Sequence, residues 1–131
     1  MKLSGLAASV VVIMAAVPAA ADMIASPPIF GGLSQKFAYC YIFNASSTSM
    51  RIEFIDLWSD TGIKTRLSSD SCKVSASNPV LAAYTGCYSY TSIVNDRAYS
   101  CRVTLTGKAN ARSSIEITNQ LGTTLNRAEL R

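Results

Sequence analysis

The sequence predicts an all-β chain, an antiparallel β-sandwich of seven to eight strands, on three observations. Apolar and polar residues alternate over short runs, as in "AYSCRVTLT". Turn-forming residues interrupt these runs every eight to twelve positions. Beyond the first 21 residues, no stretch carries a sustained 3.6-residue apolar stripe.

Residues 1–21 read as a secretory signal peptide. A charged start at Lys2 precedes an apolar run from Leu6 to Val17, then Pro18 and the small triplet Ala19-Ala20-Ala21 before Asp22. The apolar run has 12 residues, short of the about 20 that a membrane span needs. Residues 22–34, "DMIASPPIFGGLS", are expected to form a flexible arm, because Pro27-Pro28 and Gly31-Gly32 break regular structure. Residues 35–131 are then the sandwich domain.

The first strand is "KFAYCYIFN" within Gln35 to Asn44, and it has no polar face. Ala38, Cys40 and Ile42 share one side; Phe37, Tyr39, Tyr41 and Phe43 share the other. "MRIEFIDLW" follows, where Met50, Ile52 and Phe54 alternate before Ile55 and Leu57 change phase, the mark of a bulge or of a strand changing sheets. Asp60-Thr61-Gly62 turns into "IKTRL", with Ile63, Thr65 and Leu67 on one face. "CYSYTSIV" alternates Tyr88 and Tyr90 with Ser89 and Thr91, and Asn95-Asp96 is expected to form a hairpin turn. In "AYSCRVTLT", Tyr99, Cys101, Val103 and Leu105 point one way and Arg102 with its polar neighbours the other. "SSIEIT" repeats the pattern, and Leu121-Gly122 turns into a last strand ending at Leu130.

Cys40, Cys72, Cys87 and Cys101 are separated by 31, 14 and 13 residues, without the close C-x-x-C pairs of zinc sites. In an exported chain four cysteines make two disulfides. Cys40 and Cys101 lie mid-strand, whereas Cys72 and Cys87 flank a turn-rich loop. The expected pairs are therefore Cys40–Cys101 across the core and Cys72–Cys87 closing the loop. A disulfide joining an early to a late strand across two sheets is the immunoglobulin-like variant of the sandwich.

"LAAYTGCYSYTSIV", Leu81 to Val94, resembles the stretch of bacterial immunoglobulin-like domains in which a leucine, a Pro-Gly turn and a small residue or cysteine lead into an alternating strand. Ala83-Tyr84 stand at the turn here. With "FAYCYIFN", "AYSCRV" and the "SSIEI" and "LNRAELR" segments, the chain from Asp22 onward is also similar to small exported proteobacterial proteins. The resemblance implies a secreted or periplasmic location and an immunoglobulin-like fold, and it brings no activity with it.

Several chemistries are excluded by composition. The chain has no histidine, which removes Ser-His-Asp triads, Cys-His dyads and the usual zinc hydrolase ligand sets. No phosphate-binding glycine loop and no G-x-S-x-G occurs. Without Lys2, 11 basic residues stand against 8 acidic ones, scattered singly, so no nucleic acid partner is expected. Glu53, Asp56 and Asp60 near Trp58 are the one carboxylate group that could imitate a glycosidase, a chemistry that needs two carboxyls across a cleft. Asn44-Ala45-Ser46 matches a glycosylation sequon.

The expectation is an exported, non-catalytic binding or structural module without cofactor or metal. Its candidate binding face is Phe37, Tyr39, Tyr41 and Phe43, either open or covered by the arm or a loop. The partner would be a protein or glycan at the cell surface, or a second copy of the chain; stable membrane insertion is not expected. The alternatives are an assembly subunit that docks its apolar arm by strand addition and a small carboxylate-based hydrolase.

Overall fold

The structure, a computed structural model, describes residues 21–72, 80–107 and 110–131. Residues 1–20 of the signal segment and half of the loop between Cys72 and Cys87 lie outside the described residues. Ten strands are described: β1 (Asp22–Ala25), β2 (Phe37–Asn44), β3 (Met50–Ser59), β4 (Lys64–Thr65), β5 (Ser69–Asp70), β6 (Val80–Leu81), β7 (Gly86–Ser92), β8 (Tyr99–Leu105), β9 (Ala111–Thr118) and β10 (Thr124–Glu129). They form two antiparallel sheets. One has the order β1-β8-β3-β4, with β6 against the start of β3; the other runs β10-β9-β2-β7-β5.

Alternation decides what lies between the sheets. Leu57, Cys101, Val103 and Leu105 from the first sheet and Ala38, Cys40, Ile42, Ile115 and Ile117 from the second are almost fully buried, each at the inward phase of its strand. The phase change in β3 is a bulge. Ile52 pairs with Leu105 and Phe54 with Thr104, leaving Glu53 as the extra residue. One inserted residue lets Ile52 and, three positions later, Ile55 both face the core.

Cys40 in β2 is bonded to Cys101 in β8, joining an interior strand of each sheet, and Cys72 is bonded to Cys87. The chain's end adds a second link. Leu130 donates its N–H to the Ser113 carbonyl on β9, and Arg131 exchanges backbone bonds with Ala25 on β1.

Three expectations are corrected. The segment 22–34 is not a free arm: β1 pairs with β8, Ile24 opposite Val103, and Ile29 exchanges backbone bonds with Tyr99. Ile24 and Ile29 are buried, so apolar burial overrides the Pro and Gly signals that flank them. Asn95-Asp96 forms a turn but not a hairpin, because β7 and β8 belong to different sheets and the turn carries the chain across the sandwich. "IKTRL" contributes only the two residues of β4, with Ile63 exposed.

Candidate functional site

The inward phase of β2 is fixed by Ala38, Cys40 and Ile42, so Phe37, Tyr39, Tyr41 and Phe43 must point away from the core. On β7 the inward positions are the small polar Ser89 and Thr91. They are buried because the 66–70 segment supplies partners: Ser89 Oγ donates to Asp70 Oδ1 at 2.6 Å and Thr91 Oγ1 to the Arg66 carbonyl at 2.7 Å. This arrangement sends Tyr88 and Tyr90 outward. The register places Tyr90 opposite Tyr39 and Tyr88 opposite Tyr41.

The result is one continuous aromatic surface. Tyr39 stacks on Tyr90 with ring centroids 4.9 Å apart and on Tyr41 at 5.8 Å. Tyr88 lies 5.9 Å from Tyr41, and Phe37 meets Tyr90 edge-on at 6.1 Å. The rings shield one another; of the segment that was a candidate cover, β1 pairs in the other sheet and the Phe30 carbonyl is held by Asn126 on β10. Tyr88 and Phe43 remain 40% and 42% exposed, which marks the surface as open.

A polar flank borders this surface. On β9, Glu116, Ser114 and Arg112 stand opposite Tyr39, Tyr41 and Phe43. On β10, Arg127 stands opposite Glu116, and Glu129 opposite Ser114. A groove of about 420 Å³ runs between flank and rings, lined in part by Tyr41, Phe43, Tyr88, Arg112, Arg127 and Glu129. That volume falls within the range of small-ligand sites. Arg127 donates to Ser114 Oγ at 3.2 Å, which lays its side chain along the groove.

The phenols of Tyr39 and Tyr41 both have pKa values raised above the ordinary 10.0. Burial is the main cause for each; the neighbouring phenols, Tyr90 and Tyr88, come next for Tyr39, and Glu116 for Tyr41. Both rings therefore present a protonated hydroxyl at neutral pH. Among the described residues, the one tyrosine hydroxyl in a hydrogen bond is that of Tyr99, which accepts from the Val94 N–H. The hydroxyls of the outer face are left for solvent or a ligand.

The other sequence candidates fare differently. Glu53 is ion-paired with Arg51 at 2.9 Å, Asp56 with Lys64, and Asp60 accepts from the Ala98 N–H. Trp58 carries the Arg102 guanidinium 5.4 Å from its ring centre. Asn44 of the sequon is fully buried. Tyr88, Tyr90, Arg112, Glu116, Arg127 and Glu129 were not singled out from the sequence. The alternation of "CYSYTS" is visible there, but β7 and β9 join the face only by pairing with β2 from distant parts of the chain, and β10 only through β9.

Comparison with protein-family models, with curated proteins and with solved structures found no match to this chain.

Proposed function

We propose that this protein is an exported, non-catalytic binding module whose working surface is the tyrosine face of β2 and β7. The observation that carries the reading is the open stack of Tyr39, Tyr41, Tyr88 and Tyr90 on the outer side of a rigid sheet. Tyrosine offers a large, stiff, amphipathic contact area at low entropic cost, and binding surfaces are enriched in it for that reason. Four such rings gathered into one contiguous, partly exposed patch mark an interaction surface, over and above the cross-strand stabilisation they give the sheet.

Export is supported by the secretory pattern of residues 1–21 and by two disulfides, which fit an oxidising compartment. An immunoglobulin-like sandwich is supported by the Cys40–Cys101 bridge between interior strands of the two sheets. Strand addition through the N-terminal segment loses its main support, since that segment is already a strand of its own sheet.

The test is retention on the host's cell-surface material. Wild type should co-sediment with it, and Tyr39→Ala/Tyr90→Ala should stay folded by circular dichroism and lose retention. Equal retention of the folded variant and the wild type would refute the reading.

A further inference from the structure

Resting on the binding-module reading, the charges along the β9 and β10 flank of the tyrosine face narrow the class of ligand. Arg112, Glu129, Arg127 and Glu116 lie on adjacent outward positions of β9 and β10, two of each sign. Among the described residues none of the four belongs to an ion pair; Arg127 is engaged by Ser114 and Glu116 by Thr124. A rim of zero net charge gives no attraction for a polyanion. It would also repel neither end of a neutral molecule.

What such a rim offers is donors and acceptors side by side. Each guanidinium presents a fork of N–H donors, and each carboxylate accepts only. A molecule rich in hydroxyls can satisfy both, because every hydroxyl donates and accepts. The floor asks for something different: the flat faces of Tyr41 and Tyr88 favour a ligand with an apolar face. A pyranose ring carries both features, with C–H bonds on its faces and hydroxyls at its rim.

Length adds a further constraint. From Phe37 to Phe43 the strip runs six residues, or about 20 Å at ~3.3 Å per residue, longer than one sugar ring. We infer that the tyrosine face and its mixed-charge rim bind a neutral oligosaccharide of several units, with sugar faces on Tyr41 and Tyr88 and sugar hydroxyls on Arg112, Arg127, Glu116 and Glu129.

The experiment is a glycan array bearing neutral and carboxylated oligosaccharides of one to six units, followed by calorimetry on the ligands found. Neutral oligosaccharides should bind, with affinity rising with chain length. Tyr41→Ala should weaken them about tenfold, the factor expected for one aromatic contact. Arg127→Gln and Glu129→Gln, on an exposed edge strand, should fold normally and each weaken neutral sugars. Preference for carboxylated glycans, abolished by Arg127→Gln, would overturn the neutral assignment and leave the module reading intact. Absence of any saccharide binding, with protease-sensitive retention on cell-surface material, would also overturn it and identify the partner as a protein. Absence of both would remove the module reading itself.

Discussion

Tyr39 and Tyr90 face each other across β2 and β7 with ring centroids 4.9 Å apart and planes 22° from parallel. The pair lies on the outer side of the sheet and still contributes to its stability, because directly opposed residues are the unit of cross-strand stabilisation. In a double-mutant cycle, Tyr39→Ala and Tyr90→Ala should show a coupling of about 0.5–1.5 kcal/mol. Each single change should cost less than Leu57→Ala in the core, where about 2–5 kcal/mol is expected. Urea denaturation of the four proteins checks both statements. A Tyr39→Ala cost equal to that of Leu57→Ala would mean that the face is core and not surface.

The raised pKa values of Tyr39 and Tyr41 imply a stability change with a defined sign. In both, the folded state holds the phenolic proton more tightly than the unfolded chain, whose phenols titrate near 10.0. The resulting stabilisation is complete below pH 10 and is lost as pH rises through the folded values. Stability should therefore be insensitive to these groups at neutral pH and decline above pH 10. Tyr39→Phe/Tyr41→Phe should flatten that decline. Phenolate absorbance against pH, with parallel urea midpoints, measures both effects.

The inter-sheet disulfide should matter more than the loop disulfide. Cys40 and Cys101 are 61 positions apart and Cys72 and Cys87 are 15 apart. In the chain-entropy model these closures are worth about 4 and about 3 kcal/mol. Cys40 and Cys101 are also fully buried, so their removal leaves unfilled core volume. Cys40→Ala/Cys101→Ala should accordingly unfold at markedly lower urea than Cys72→Ala/Cys87→Ala. Non-reducing peptide maps of the parent should contain the two linked pairs and no crossed ones.

The parts of this architecture that were legible in the sequence are those set by local period. The alternation of "AYSCRVTLT" marks β8 with its inward face, and the phase change after Phe54 marks the β3 bulge. What was illegible depends on partners distant along the chain. Pro27-Pro28 and Gly31-Gly32 signal broken structure, yet Ile24 and Ile29 find β8 some 70 or more residues away and become buried there. Asn95-Asp96 has turn chemistry whether the next strand pairs or crosses, and only the sheet order distinguishes the two. The aromatic side of β2 was visible as a strip. Its extension over Tyr88 and Tyr90 depends on Ser89 and Thr91 being buried, which runs against their usual preference for the surface.

Asn44 gives the last prediction, because its sequon and its surroundings make opposite demands. Glycosylation would need an exposed amide nitrogen. Asn44 is fully buried at the end of β2, and its amide donates to three carbonyls, those of Thr48 at 2.7 Å, Leu81 at 3.1 Å and Ala82 at 3.2 Å. Its Oδ1 accepts from the Ser46 N–H and hydroxyl. The side chain thus pins the loops after β2 and β6 to the strand, and a glycan there would have to displace that network. Expression in a glycosylating host should yield folded protein without added mass at Asn44. Asn44→Ala removes the donor from the buried Leu81 carbonyl and should cost about 1–3 kcal/mol. Asn44→Asp should be worse near neutral pH, since a carboxylate would face those same carbonyls with no hydrogen to give. A folded, glycosylated Asn44, or an Asn44→Asp variant as stable as the parent, would show that the loops are held by other contacts.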